Sequence, residues 1–258
     1  MSTRTLLVFQ WLEDLNLMID FHSHFLPGID DGSDSIAVSL AMLEAWRSQG
    51  IEEIVATPHF YADHNTPERF LYRRNSSFES LKAAIFMSPE LQTSLPSIRL
   101  GAEVRFFDGI SRFEGLHELC LEGTDLLLLE MPFHTWTARM VDEVGMIAST
   151  TGIMPVAAHI ERYLDQPHHL VKAFLNLDIF FQSNAEFFLD QGYTRKAMKM
   201  LKKGVITFLG SDAHNMSRRP VNIGPALGLI TKTLGSDFVQ DLANRQYDII
   251  EQFSSDYF

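Results

Sequence analysis

Residues 17–24 read Leu17-Met18-Ile19-Asp20-Phe21-His22-Ser23-His24, an apolar, strand-like run that ends in two histidines one residue apart. Side chains two apart on an extended chain share a face, so His22 and His24 can turn the same way and ligate one ion. A dinucleotide-binding fold would follow this first strand with G-x-G-x-x-G, and no such loop is present. The strand delivers imidazoles, not a phosphate cradle.

Outward from that stretch, strand-like runs alternate with helical patterns. Ile36, Leu40 and Leu43 have helical spacing, with Ser33 or Ser35 as N-cap and Gly50 as a stop. A second run, 51–57, precedes Thr66-Pro67, which opens a polar helix towards Phe86. Later runs fall at 98–106, 124–130, 153–158, 179–181 and 205–209, and helical patterns at 137–150, 168–177, 191–203 and 221–234. About seven βα units imply a parallel sheet with helices outside it. Such a series suits a (β/α) barrel better than two separate domains, with a doubly wound open sheet as the alternative.

Ionisable residues gather at the ends of these runs. The second ends in Thr57-Pro58-His59, the third contains Glu103, and the fourth ends at Glu130. The fifth leads to His159 and the seventh to Ser211-Asp212-Ala213-His214, which repeats the two-apart spacing. In a parallel barrel all these ends open onto one face, where such enzymes keep their chemistry. Buried charged groups need a partner or a metal, so the convergence predicts a metal site. The inventory exceeds the needs of one ion. Mixed imidazole and carboxylate ligands suit manganese, iron or zinc, and a bridging carboxylate makes a multinuclear hydrolytic centre the natural inference.

Composition narrows the partners. There are 33 acidic and 21 basic side chains, for a net charge of −12, which argues against nucleic acid and anionic membranes. A hydrophobic share of 46% excludes intrinsic disorder. The stretch 6–17 is broken by Gln10, Glu13 and Asp14, is too short to span a bilayer and lacks a secretory cleavage pattern. A cytoplasmic protein without membrane insertion is expected. Residues 1–17 look unlike the rest of the chain and read as an N-terminal extension that need not be native, with Met18 as the natural start. The lone Cys120 excludes a disulfide framework and any Cys-rich zinc module.

The segments MIDFHSHFLPGIDDGS (18–33), TPHF (57–60), GAEVRFF (101–107), LLLEMPF (127–133), GIMPVAAHIERY (152–163), QSNAEFF (182–188) and GSDAHN (210–215) followed by RRP form an ordered set. They resemble the PHP (polymerase and histidinol phosphatase) superfamily and, more closely, the bacterial capsule-type protein tyrosine phosphatases of the CpsB/CapC group. The resemblance runs over nearly the whole chain from Met18, so 18–258 is expected to be a single PHP-type catalytic domain. It implies a distorted seven-stranded TIM-like (β/α) barrel holding three divalent ions, commonly manganese, with iron or zinc as alternatives. Carried over by residue, His22, His24, Glu103 and Asp212 surround the first ion. Glu103 bridges to a second held by Glu130 and His159, and the third takes His59, His214 and an acid from Asp30-Asp31. Asp31, directly before Gly32, is favoured over Asp30. Arg162 and Arg219 match positions that grip phosphate, with Arg218 competing for the second. A guanidinium presents paired donors matched to phosphate oxygens, which agrees with that role.

The resemblance implies hydrolysis of phosphotyrosine by a metal-activated hydroxide without a phosphoenzyme. The implied substrate is an autophosphorylated bacterial tyrosine kinase that regulates capsule or exopolysaccharide synthesis. Ring oligomers occur in the group, but no interface signature assigns a homo-oligomer here. A histidinol-phosphate or other small-molecule phosphatase is the second reading, and a non-catalytic metal-holding PHP module the third. A cysteine-based phosphatase is excluded, because C-x5-R would need arginine at position 126, which is Leu126. Cys120 reads instead as a core residue. Four ligand carboxylates contribute about −4 and three divalent ions about +6, so the loaded pocket would stand near +2. The acidic chain thus does not bar a phosphate substrate.

Other candidates carry weaker signals. His64 and His134 lie just beyond strands two and four, where the pocket mouth is expected, while His117 and the pair His168-His169 read as structural or solvated. Asn184 could orient a ligand or water. Phe106-Phe107 and Phe187-Phe188 could line a groove for an aromatic ring, with core packing expected for at least one of each pair.

Overall fold

Strands form where short apolar runs are bounded by loops, and helices where the apolar spacing lengthens. The computed structural model describes residues 18–88 and 95–255, so the extension expected at 1–17 lies outside the described residues. Its strands are β1 (Ile19–Ser23), β2 (Glu53–Ala56), β3 (His59–Phe60), β4 (Ser97–Leu100), β5 (Glu103–Arg105), β6 (Leu126–Glu130), β7 (Met154–Ala157), β8 (Phe180–Asn184) and β9 (Phe208–Gly210). Between and after them run α1 (Ile36–Ser48), α2 (Pro67–Phe86), α3 (Ala138–Thr150), α4 (His168–Phe174), α5 (Ala185–Leu189), α6 (Thr194–Lys202), α7 (Ile223–Leu234) and α8 (Ser236–Gln252). Ser35 caps α1 through its side chain, and Gly50 follows that helix at φ 73°. Thr66 caps α2, with Pro67 at the first turn, where a missing N–H costs nothing. No helix among the described residues is long and apolar enough to cross a membrane.

All named strands pair in parallel, in the orders β1-β2-β4 and β3-β5-β6-β7-β8-β9. The two ladders meet at Thr57-Pro58, where proline has no N–H to donate. Backbone bonds carry the pairing across the break, from Gly101 N to Ala56 O (2.8 Å) and Glu103 N to Pro58 O (3.1 Å). At the far ends, Asp212 N donates to His22 O (2.8 Å) and His24 N to Ala213 O (2.9 Å), so the segment after β9 lies along β1. The result is a curled parallel sheet of half-barrel form.

Both faces of the sheet are apolar, as expected where helices cover one face and the curl encloses the other. Alternation along β6 sends Leu126 and Leu128 into an inner cluster with Ile19, Phe21, Val156 and Phe208. Leu127 and Leu129 join the larger outer cluster under the helices, which includes Trp46 and Phe174. Phe21 and Phe208 stack at 3.9 Å inside the curl.

Two features depart from simple βα alternation. Between β5 and β6 the described residues form 3-10 turns at Ile110–Arg112 and His117–Leu119 in place of an α-helix. Gly109, Gly115 and Gly123 hold positive φ there, which interrupts any longer helix. The second is α8, which the sequence reading did not anticipate. It buries Val239, Leu242, Ala243, Gln246 and Ile250, and Ile250 enters the inner cluster. Asp125 N, just before β6, donates to Phe253 O (2.8 Å), so α8 closes the N-terminal end of the sheet, opposite the strand ends that carry the histidines.

Close packing at the functional end has a specific cost. A Cβ on Gly210 would lie 2.6 Å from His22 Cβ and 2.9 Å from Gln182 Nε2. Gly210→Ala is expected to lower stability by about 2 kcal/mol, read from the urea midpoint. An unchanged midpoint would show that β9 can move away from His22 freely.

Candidate metal centre

The C-terminal ends of the strands hold the site, and two residues there have unusual backbones. His159 has φ 33° and Asp212 φ 54°, in the left-handed region that side chains other than glycine disfavour. Such conformations cost about 1–3 kcal/mol each and persist only where neighbours over-determine them. Here Gln182 Oε1 accepts from His159 N (2.7 Å) and His22 O accepts from Asp212 N (2.8 Å). The strained turns carry both side chains inward over the sheet.

Glu103 is the centre of the arrangement. Its Oε2 lies 3.3 Å from the Nε2 atoms of both His22 and His24, and 2.9 Å from His59 Nδ1. Its Oε1 accepts from His159 Nε2 at 2.9 Å, and that same nitrogen is 3.6 Å from Glu130 Oε1. Asp212 Oδ1 lies 3.6 Å from His22 Nε2 and 3.5 Å from His24 Nε2. Asp31 Oδ1 stands 3.3 Å from His59 Nε2 and 3.5 Å from His214 Nε2. Asp30 instead accepts from His24 Nδ1 (2.8 Å) and His59 N (3.1 Å), so it orients an imidazole from behind while Asp31 faces the other two.

Charge follows from this crowding. Burial disfavours the His24 imidazolium, but the adjacent Asp30 carboxylate and Glu103 outweigh it and raise its pKa to about 9. His159 rises to about 9 against the same penalty through Glu103 and Glu130, and His59 to about 11 through Asp31 and Glu103. His214 moves the other way, down to about 3, because burial and the charged His24 beside it oppose protonation. Burial would lift the Glu103 carboxyl, yet His22, His159 and His24 hold it well below the usual carboxylate range.

These residues fit divalent cations. Among the described residues, three groups of donor atoms each converge within 4.8 Å: His22, His24 and Glu103; His59, Glu103 and Glu130; and His24, Asp31, His59 and His214. Two imidazole nitrogens, His22 Nε2 and His24 Nε2, face each other at 3.1 Å, an arrangement that needs a shared proton or a cation. His59 Nδ1, Glu103 Oε2, His159 Nδ1 and His214 Nε2 are buried without an aligned hydrogen bond. Orphaned polar atoms of this kind are rare in protein interiors and common where an ion is held.

Both arginines border the same cleft. Arg162 Nη2 donates to Asp212 Oδ2 and Arg219 Nη2 lies against Asp212 Oδ1, each at 2.6 Å. Arg219 rather than Arg218 reaches inward, and Arg218 is exposed. With His59, Tyr61, Glu103, Arg105, Glu130, Phe133 and Asp212 they line a cleft of ≈ 280 Å³. The other sequence candidates stand outside it. His64 pairs with Asp63 in solvent, His134 lines a neighbouring groove, and His117 spans Asp125 and the Thr151 carbonyl. Phe106 and Phe107 line that neighbouring groove, Phe187 a third one, and Phe188 is core. Cys120 is buried, and burial raises its thiol pKa far above the ordinary range.

Comparison with known proteins places this geometry. The profile of the family described as "Capsular polysaccharide synthesis, CpsB/CapC" matches residues 18–250. The chain belongs to the CpsB/CapC family. It is similar to the tyrosine-protein phosphatase YwqE of Bacillus subtilis, with 30% identity over 230 residues covering 85% of this chain and 86% of YwqE. The tyrosine-protein phosphatase CpsB of Streptococcus agalactiae is 27% identical over 243 residues, covering 87% of this chain and 94% of its own. A structure described with YwqE of Bacillus subtilis and CpsB of Streptococcus pneumoniae, "unique metal-dependent tyrosine phosphatases", superposes with a TM-score of 0.75 at 24% identity. The match covers 92% of this chain and 96% of that one, and it establishes the fold.

The CpsB/CapC chain also uses residues that the sequence reading passed over. Gln182 Oε1 lies 3.2 Å from His22 Nδ1, and Gln182 Nε2 donates to Asn184 Oδ1 (3.0 Å). Asn184, foreseen only as an orienting group, donates from Nδ2 to Asp212 Oδ2 (2.9 Å). The two-apart rule that paired His22 with His24 applies equally to Gln182 and Asn184 on β8, and was the available signal. Asp20 accepts from Trp46 Nε1 (2.6 Å), Ser211 N (2.8 Å) and His22 N (3.3 Å), tying the end of β9 to β1. Tyr61 and Phe133, also missed, form aromatic walls of the cleft.

Proposed function

We propose that this protein is a metal-dependent protein tyrosine phosphatase. The observation that carries the reading is the stack of ligand groups around Glu103 beneath two inward-turned arginines, in a chain of the CpsB/CapC family. On this reading His22, His24, Glu103 and Asp212 hold one ion, Glu103, Glu130 and His159 a second, and Asp31, His59 and His214 a third. Manganese suits the mixed nitrogen and oxygen donors, as iron or zinc would. We further assign the curled sheet to a distorted seven-stranded barrel, supported by the pairing of Ser23 with Ala213, and residues 18–258 to one catalytic domain.

Divalent ions, when bound, supply Lewis-acid activation of a water nucleophile and charge neutralisation of the ester. The chain's own groups do the rest. Arg162 and Arg219 bind the non-bridging oxygens with paired N–H donors and stabilise their growing charge. Asn184 and Gln182 fix Asp212 and His22, and Asp30 fixes His24, so the ligands keep one orientation. The buried thiol of Cys120 has no part. The physiological substrate is a phosphotyrosine protein, an autophosphorylated tyrosine kinase of capsule or exopolysaccharide synthesis, met in the cytoplasm.

The test is an assay of the purified protein on a phosphotyrosine peptide, histidinol phosphate and p-nitrophenyl phosphate, after chelation and again with Mn²⁺. Mn²⁺-dependent hydrolysis of the peptide is expected, with Arg162→Ala and Arg219→Ala each lowering kcat/KM by about 10²-fold. Hydrolysis of histidinol phosphate alone, or full activity after chelation, would overturn the proposal.

A further inference from the structure

Two aromatic side chains cover the imidazoles on either side of Glu103. The Tyr61 ring stacks on His59 at 5.3 Å and 20°, and the Phe133 ring stacks on His159 at 6.2 Å and 18°. His59 Nδ1 and His159 Nε2 each lie 2.9 Å from a Glu103 oxygen, one from Oε2 and the other from Oε1. Both rings line the same 280 Å³ cleft as Arg162 and Arg219.

Neither ring is explained by core packing. Phe133 is 59% exposed, on a loop tip with His134 and Thr135 between the buried Met131-Pro132 and Trp136. Its loop is fixed all the same: Tyr163 Oη donates to Met131 O (2.8 Å), Trp136 Nε1 to Pro132 O (2.8 Å) and Gln166 Nε2 to His134 O (3.1 Å). Tyr61 is half-buried, with the Arg105 guanidinium 5.6 Å from its ring centroid. An aromatic face at the rim of a charged cleft is a surface suited to another ring.

We propose that Tyr61 and Phe133 are specificity-determining residues that flank the aryl group of the substrate and select aryl over alkyl phosphomonoesters. The inference rests on the phosphatase reading and adds the feature that chooses the leaving group. With the phosphoryl group at the arginines, the ester's organic part shares the cleft with these two rings, which are its aromatic walls. A phenyl group covers their exposed faces, whereas a serine or threonine methylene is too small to do so. Binding energy from this non-reacting part of the substrate would then separate the two classes.

The test uses the Mn²⁺-loaded full chain and two peptides of one sequence, carrying phosphotyrosine or phosphoserine. Phe133→Leu and Tyr61→Leu are each expected to lower kcat/KM on phosphotyrosine by about tenfold more than on phosphoserine, mainly through KM. Tyr61→Phe, which keeps the ring, is expected to recover the selectivity that Tyr61→Leu loses. Bound Mn²⁺ and inhibition by inorganic phosphate, measured in parallel, should stay within about twofold of the parent. Equal losses on both peptides, or losses that track bound Mn²⁺, would overturn the inference while leaving the phosphatase reading intact. A parent protein that hydrolyses neither peptide would overturn both.

Discussion

Glu103→Gln is expected to lower kcat/KM on a phosphotyrosine peptide by about 10³-fold, equivalent to about 4 kcal/mol of transition-state stabilisation. The amide keeps the shape and removes the charge. Glu103 is 1% exposed and reaches His22, His24, His59 and His159 within 3.3 Å, whereas Asp212 stands against two of these imidazoles and Glu130 and Asp31 against one each. The same substitution should strip most of the metal retained after dialysis, read by elemental analysis, because two of the three ligand groups include this carboxylate. In the metal-free protein it also leaves raised-pKa imidazoles without their shared partner, a loss of about 3 kcal/mol. Near-parent metal content in the variant would remove Glu103 from the centre of the site.

Metal loading should release about three protons per chain near pH 7.5. Ligation requires neutral imidazole, yet His24 and His159 titrate at about 9 and His59 at about 11 in the metal-free fold. Calorimetric titration of Mn²⁺ in two buffers of different ionisation enthalpy reads the release directly, and identical heats in both would refute it. The same shifts set the stability of the chelated protein. A histidine whose pKa is raised on folding contributes fully below its ordinary value of 6.5, and the contribution is lost as pH climbs through the folded value. His24, His59 and His159 therefore withdraw support between about pH 6.5 and about 11. His214, depressed to about 3, has its full contribution above 6.5 and loses it as pH falls. Asp31 and Asp212, held below the usual carboxylate range, lose theirs under still more acid conditions. The chelated protein should be most stable near pH ~6.5, and its Tm should fall on the alkaline side, with added Mn²⁺ reducing that fall.

The apolar runs, their parallel pairing and the ionisable residues at their ends were legible in the chain because each depends on local spacing. Alternation on a strand, a cap such as Thr66-Pro67 and a histidine pair such as His22 and His24 act within a few residues. Other features were not local. Asp30 and Asp31 are adjacent and chemically identical, and only the approach of His24 to one and of His59 and His214 to the other separates them. Between β5 and β6, where the chain offers no long helical pattern, the course of the 3-10 turns is set by positive φ at Gly109, Gly115 and Gly123. Tyr61 and Phe133 have no periodicity that marks them, whereas the double phenylalanines that looked like an aromatic groove line other grooves or the core.

The sequence by itself determined which residues could bind metal and that repeated βα units would carry them to one end of a parallel sheet. The tertiary structure alone decided how they meet. It turned His159 and Asp212 inward through left-handed backbones, placed Glu103 among four imidazoles and set the rings of Tyr61 and Phe133 beside two arginines. The physical reason is that these contacts join residues far apart in the chain, whose distances are set by the curl of the sheet and by packing, not by the spacing of neighbours.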